Sequence, residues 1–119
     1  MGPFRRWLAR LNETDEERLA AETRAWADSV PGSVRIADAP LRQPVKIAGV
    51  IRRITVLPTA GAEALEALIS DGTGEVTAVF MGRRGIGGLS LGRRLVVEGV
   101  IADRRGEARI VNPRLEFAR

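Results

Sequence analysis

The stretch LEALISDGTGEVTAVF, residues 65–80, contains two strand-like segments on either side of a turn signal. Apolar side chains recur at alternate positions in both segments, which is the pattern of strands that bury one face. Asp71-Gly72 lies between the segments and is typical of a tight type I′ turn, in which both central residues adopt positive φ. The stretch therefore predicts a β-hairpin in the middle of the chain.

Three further strands are predicted around this hairpin. The first covers residues 44–56, and its apolar alternation changes phase near Gly49, where a bend would let one strand serve both halves of a barrel. The other two cover residues 94–102 and about 108–117, and Pro113 predicts an edge or a bulge in the last one. The intervening loops and turns are predicted at residues 57–63, 85–92 and 103–106.

Two helices are predicted ahead of the strands. Residues 3–11 form a short amphipathic pattern. A second helix begins at Thr14, which fits a capping box together with Glu17. The apolar stripe of this second helix consists of Leu19, Thr23, Trp26 and Val30. The chain is thus divided into a helical extension with a connector, residues 1–43, and a barrel, residues 44–119.

The predicted order is two helices, three strands, a long connection and two strands. This is the strand order of the oligonucleotide/oligosaccharide-binding barrel, or OB-fold. The glycine in the first strand agrees with that architecture, and Ile86 and Leu89 in the long connection are expected to plug one end of the barrel. We therefore predict a mainly β protein, a five-stranded OB-fold barrel with an N-terminal α-helical extension.

The composition argues against several classes of function. The chain has 119 residues, 45% of them hydrophobic, and contains neither Cys nor His. Thiol chemistry, histidine chemistry and the usual zinc ligands are therefore absent. Carboxylates such as Asp71 and Glu107 are predicted at turns or on exposed strand faces, without partners for acid–base catalysis. We expect a protein that is not an enzyme and uses no cofactor. Because no segment resembles a signal peptide or a membrane span, we also expect it to be cytoplasmic.

Positive charge is concentrated in the predicted barrel. Residues 1–30 carry five Arg against six acidic residues, whereas residues 43–119 carry eleven Arg and one Lys against eight acidic residues. An excess of positive charge favours a polyanionic partner.

Four short segments carry a family resemblance: VKIAGVI (residues 45–51), SDGTG (70–74), GRRLVVEG (92–99) and VNPRLE (111–116). Together they resemble the tRNA-anticodon-type family of OB-fold nucleic-acid-binding domains. The last segment is similar to a strand in the wedge domain of the branch-migration helicase RecG, from which it departs at Arg114 and Leu115. With its helical N-terminus, the chain looks like stand-alone actinobacterial OB-fold proteins. The resemblance implies single-stranded or branched nucleic acid, DNA or RNA, as the ligand.

Paired arginines are the main candidates for nucleic-acid contacts, because guanidinium groups bind phosphate in bidentate fashion and stack on bases. The loops between strands one and two and between strands four and five flank the usual binding face of an OB-fold. Arg53 leads towards the first of these loops, and Arg104 and Arg105 lie in the second. The predicted nucleic-acid-binding residues are Lys46, Arg53, Met81, Arg83, Arg84, Arg104 and Arg105.

The predicted barrel offers few aromatic side chains for base stacking. Its aromatic residues are Phe80 and Phe117, and Phe80 falls in the inward phase of its strand. The outer face of that strand is expected to present Thr77, Val79 and Met81, of which Met81 offers a soft contact surface. Binding is therefore predicted to be modest in affinity and sensitive to salt.

An alternative function uses the N-terminal helices. Their large apolar residues are Trp7, Leu8, Leu11, Leu19 and Trp26. We expect these side chains to fold back on the barrel, because large apolar groups are usually buried. If they do not, they present an apolar surface to another protein or to a second copy of the chain, and the protein is an interaction module.

Overall fold

The computed structural model describes residues 3–59 and 62–118; for residues 3–14, 59 and 62 it describes the backbone alone. The elements are helix α1 (Pro3–Ser29), a 3₁₀ turn (Ile36–Asp38), and strands β1 (Pro44–Thr59), β2 (Ala62–Ser70), β3 (Glu75–Met81), β4 (Arg94–Arg104), β5 (Glu107–Val111) and β6 (Arg114–Phe117).

The strands form one closed sheet. β1 pairs with β4 along its first half and with β2 along its second half, and the sheet continues from β2 through β3 and β5 back to β4. β3 and β5 run parallel, while the other neighbouring strands are antiparallel. β5 and β6 both pair with β4 and are the two halves of a fifth strand. The predicted five-stranded OB-fold barrel is confirmed.

The fifth strand breaks at Asn112-Pro113, where the sequence predicted an edge or a bulge. Asn112 adopts a φ of 49°, and Pro113 has no N–H to donate to the ladder. The N–H of Asn112 donates to the carbonyl of Val79 at 2.7 Å, and its Oδ1 accepts the N–H of Met81 at 2.9 Å. These two bonds fasten the break to β3.

β1 changes partner at Gly49 and Val50, as the change of phase predicted. Val50 is opposite Ser70 of β2 and also opposite Arg94 of β4, and the register with β2 shifts just beyond it, between Ile51 and Arg53. A Cβ on Gly49 would lie 2.7 Å from the carbonyl oxygen of Ser70. Only glycine therefore lets β1 and β2 approach so closely at the bend.

The loop predicted at residues 57–63 is wrong for residues 57–59 and 62–63, which belong to β1 and β2, while residues 60 and 61 lie outside the described residues. Pro58 is opposite Glu63, and Thr59 is opposite Ala62. In this part β1 pairs with β2 alone, an edge position at which a proline is tolerated.

The type I′ turn lies in a different hairpin from the predicted one. At Asp71-Gly72, only Gly72 has positive φ, and residues 71–74 form a four-residue loop closed by the pair of Ser70 with Glu75. In the β4–β5 hairpin, by contrast, Arg105 and Gly106 have φ of 55° and 82°. These two residues connect directly paired strands, as a type I′ turn requires.

Asp71 lies at the β2–β3 turn, as predicted, but it is buried there and organises the loop. Its side chain is 2% exposed. Oδ1 accepts hydrogen bonds from the N–H and hydroxyl of Thr73 (2.8 and 2.6 Å) and from the N–H of Gly74 (3.2 Å). Oδ2 accepts the N–H of Ile36 at 2.8 Å. One carboxylate thus joins the connector to the hairpin.

The core is filled by aliphatic side chains from β1 to β5 and the 3₁₀ turn, together with Phe80. Phe80 is 6% exposed, which confirms its predicted inward phase. Ile86 and Leu89, in the connection between β3 and β4, are half-buried against this core, as expected for residues that plug one end of the barrel.

The N-terminal segment is one continuous helix, so the prediction of two helices with a boundary at Thr14 is wrong. Thr14 lies inside α1, because residues 11–14 contain neither proline nor glycine and the helix has no reason to stop there. The side chains of Trp7, Leu8 and Leu11 lie outside the described residues. In the described part of the chain, no helix is long and apolar enough to span a bilayer.

The carboxyl-terminal half of α1 packs on the barrel. Ala27 is buried, Trp26 is half-buried, and the guanidinium of Arg94 lies over the Trp26 ring, 5.1 Å from its centroid. These contacts confirm that Trp26 folds back on the barrel. Leu19, on the same predicted stripe, is 59% exposed, so its expected burial is wrong. The helix still reaches the barrel at this level, because a Cβ on Gly72 would lie 2.7 Å from the carbonyl oxygen of Ala20, but Leu19 borders an open groove together with Val50 and Arg52.

An ion pair joins the end of α1 to the connector. The Arg35 side chain donates two hydrogen bonds to the carboxylate of Asp28, at 2.8 and 3.1 Å. Hydrogen bonding by Arg35 lowers the pKa of Asp28 below its ordinary value, and the same bond raises the pKa of Arg35. Because both groups are exposed, the pair orients the connector and contributes little to stability.

Gly49→Ala is expected to lower the free energy of unfolding by about 1–3 kcal/mol, because the new Cβ overpacks the bend in β1. Urea unfolding followed by circular dichroism measures the change. Gly85→Ala is the matched control, since a Cβ there would meet nothing within 4 Å. Equal stability of the two variants would contradict the constraint assigned to Gly49.

Asp71→Asn is expected to lower the free energy of unfolding by about 1–3 kcal/mol. Both carboxylate oxygens of Asp71 accept backbone N–H groups, and the amide nitrogen of Asn would place a second donor against one of them. Thermal unfolding measures the loss. Asp103→Asn serves as the control, because Asp103 is exposed at the end of β4. A shared unfolding midpoint for the two variants would show that Asp71 does not hold the connector to the hairpin.

Candidate nucleic-acid interface

The outward-facing side chains of β1, β2, β3 and β5 form one surface, here named the outer face. Successive side chains along a strand point to opposite sides of a sheet, so strand register defines rows across this face. The rows are Arg53, Leu68, Thr77 and Arg109; then Thr55, Glu66, Val79 and Val111; then Leu57, Ala64 and Met81.

A network of charged and polar side chains occupies the centre of the outer face. Arg109 Nη2 lies 2.7 Å from Glu66 Oε2, and both side chains are less than one-fifth exposed. Arg109 Nη1 also lies 3.7 Å from Glu107 Oε2, and Glu107 accepts the hydroxyl of Thr77 at 2.8 Å. The central guanidinium is therefore already engaged by two carboxylates.

Because of this network, β3 exposes fewer side chains on the outer face than predicted. Thr77 and Val79 were expected on its exposed face, but they are 4% and 3% exposed. Only the third expected residue, Met81, is exposed there, at 47%. Thr77 is covered because it is bonded to Glu107 and lies in register with Arg109. Its hydroxyl is therefore unavailable to a ligand.

One end of the outer face carries three of the predicted arginines. Arg53 follows the irregularity in β1, Arg104 is the last residue of β4, and Arg105 occupies the β4–β5 turn. All three are exposed. None forms an ion pair with any carboxylate among the described residues. Their guanidinium groups are available for phosphate.

The opposite end carries Met81, Arg83 and Arg84. Met81 lies four positions beyond Thr77 along β3, so the two ends are roughly 13 Å apart along the strand. Arg84 Nε lies 2.7 Å from Glu63 Oε2, although the arginine side chain is 85% exposed. Arg83 is exposed and has no ion pair in the described part of the chain.

Lys46 lies away from the other predicted binding residues. It belongs to the first half of β1, opposite Glu98 of β4, and shares a shallow depression with Val96, Arg114 and Glu116. That wall consists of the first half of β1 with β4 and β6, whereas the outer face contains only the second half of β1. The structure therefore does not bring Lys46 together with Arg53, Met81 or the other candidates.

The outer face is apolar between its charged groups, but it has no exposed aromatic ring among the described residues. Its exposed apolar side chains are Leu57, Met81 and Val111, at 40%, 47% and 54% exposure. Phe117, on β6, lies beneath the guanidinium of Arg93, 4.4 Å from the ring centroid. The guanidinium groups of Arg93 and Arg94 thus both pack on aromatic rings.

The central ion pair is the feature that the sequence analysis missed. Glu66 and Arg109 are 43 residues apart, and they meet only because β2 and β5 flank the same strand, β3. The one hint of this ion pair in the sequence was Arg109, a single arginine at an outward position of the last predicted strand. In the described ranges, no cluster of three or more acidic residues is placed to hold a metal ion.

Comparison with known proteins supports the fold. A chain of a replication protein A heterotrimer solved with ssDNA is similar to this chain, with a TM-score of 0.53 and 15% sequence identity. The match covers 74% of this chain and 66% of that chain. No family model matches the sequence, and no curated protein matches it. At this level of identity the likeness concerns the OB-fold alone.

Proposed function

We propose that the protein is a non-enzymatic OB-fold domain that binds single-stranded or branched nucleic acid, DNA or RNA, across its outer face. The observation that carries the proposal is the placement of exposed arginines at both ends of that face: Arg53, Arg104 and Arg105 at one end and Arg83 at the other. Guanidinium groups without carboxylate partners are available for backbone phosphates.

Two further observations support this ligand class. The replication protein A chain of the same fold belongs to a heterotrimer bound to ssDNA. Residues 45–51 and 70–74 resemble the anticodon-type OB family, and residues 111–116 resemble the RecG wedge, which favours a branched or single-stranded ligand.

The chemistry of the face predicts modest affinity. Glu66 and Glu107 neutralise the central Arg109, so phosphate is attracted to the two ends and not to the middle. Bases stack most strongly on aromatic rings, and aliphatic side chains such as Leu57 and Val111 contact them more weakly. Binding should therefore rest on electrostatics and weaken steeply with salt.

The double substitution Arg104→Glu plus Arg105→Glu is expected to weaken binding of labelled single-stranded DNA at least about tenfold at low salt. Loss of two phosphate contacts should also reduce the slope of log K against log salt concentration by about 1.4. Fluorescence anisotropy at several salt concentrations measures both quantities.

The matched control is Arg18→Glu plus Arg114→Glu, which makes the same change in net charge. These side chains are 66% and 89% exposed and lie on α1 and on β6, off the outer face. Equal loss of affinity in both doubles would show that binding depends on net charge alone. Unchanged affinity in the Arg104/Arg105 double would remove the β4–β5 turn from the binding site.

A second candidate function is protein interaction through α1, as a hetero-partner site or by self-association. It is favoured by Leu19, which is 59% exposed although it continues the stripe that α1 packs on the barrel. If α1 mediates self-association, Leu19→Asp should shift the sedimentation coefficient of the concentrated protein to that of a monomer. A sedimentation profile that is monomeric before the substitution would exclude self-association.

A further inference from the structure

A notch opens at the end of the outer face where β3 passes into the connection to β4. It is lined by the apolar residues Phe80, Met81, Ile86, Pro113 and Leu115 together with Arg83 and Asn112. Gly82, which follows Met81, has a φ of 72° and turns the chain away. The notch is therefore open to solvent beside an exposed methionine and an exposed arginine.

The side chain of Asn112 is held in one orientation. Its Oδ1 accepts the N–H of Met81 at 2.9 Å, while its own N–H donates to Val79 at 2.7 Å. Because Oδ1 accepts the hydrogen bond from the N–H of Met81, Nδ2 points away from that N–H. Asn112 is exposed, and Nδ2 has no hydrogen-bond partner in the described part of the chain. A hydrogen-bond donor of fixed orientation thus belongs to a residue that lines the notch.

We infer that this notch receives a single unstacked nucleobase. The apolar side chains of Met81, Ile86 and Leu115 contact the faces of the flat ring. Asn112 Nδ2 donates to a ring nitrogen or carbonyl oxygen on the edge of the base, and Arg83 contacts the adjacent phosphate. Met81 supplies the polarizable surface that an aromatic side chain supplies in strong single-strand binders.

The inference rests on the proposed function and makes it more specific. Arginines that contact phosphates would bind the nucleic-acid strand equally well in any register. A base in the notch would instead make binding depend on the base at one nucleotide position. A notch with one orientated donor therefore predicts that a bound strand shows one base-dependent position within an otherwise base-independent footprint.

The test is an abasic scan of a short single-stranded oligothymidine that fills one site. Each nucleotide in turn is replaced by an abasic residue, and affinity is measured by fluorescence anisotropy. Since every phosphate remains, the ratio of intact to abasic affinity reports base contacts alone. We expect one position, or two adjacent ones, at which removal of the base weakens binding about tenfold.

Asn112→Asp then locates that position in the notch. Asp also tolerates positive φ and keeps an oxygen for the N–H of Met81, but it replaces the donor with an acceptor. The added charge cancels in the intact-to-abasic ratio, which should fall towards one. Gln43→Glu adds the same charge at an exposed position before β1 and should leave the ratio unchanged.

Three results would overturn the inference. A flat abasic scan together with salt-sensitive binding would leave the proposed function standing and remove the notch. A sensitive position that survives Asn112→Asp, in a variant with unchanged thermal stability, would place the base elsewhere on the face. Absence of salt-sensitive binding to the intact strand would overturn the proposed function and the notch together.

Discussion

The closure of the sheet through β1 is the constraint on which the rest of the structure depends. At Val50 this strand must pair with β2 on one side and β4 on the other, and the bend leaves no room for a Cβ on Gly49. Because β1 is paired on both sides at the bend, the sheet has no exposed strand edge there. Closure also separates two walls: β1, β4 and β6 form one, and β2, β3 and β5 carry most of the outer face.

The outer face combines two opposing electrostatic features. At its centre, the largely buried Arg109 is paired with Glu66 and Glu107, and the two carboxylates outweigh its single positive charge, which disfavours phosphate there. At its ends, exposed arginines other than Arg84 pair with no carboxylate among the described residues, and apolar side chains lie between them. A strand bound here would be held at two points by charge. Its bases would meet aliphatic surfaces and Met81 instead of aromatic rings.

The sequence was sufficient for features that depend on local pattern. Strand order, the bend at Gly49, the break at Pro113 and the inward phase of Phe80 all follow from alternation and from the conformational limits of glycine and proline. Features that depend on contacts between distant residues could not be predicted. The buried Asp71 needs the N–H of Ile36, 35 residues earlier, and the Glu66–Arg109 pair needs the register of three strands. The continuous helix overrode a plausible capping box at Thr14 because no residue nearby breaks helices.

The central claim is that single-stranded nucleic acid lies across the outer face and touches both of its ends. Titration of isotope-labelled protein with a short single-stranded DNA, followed residue by residue through amide and arginine side-chain NMR signals, tests it most directly. The account predicts salt-sensitive shifts at Arg53, Arg83, Arg104 and Arg105, with the signals of Lys46 and Arg114 unmoved. Shifts confined to the β1, β4 and β6 wall, or no shifts at low salt, would contradict it.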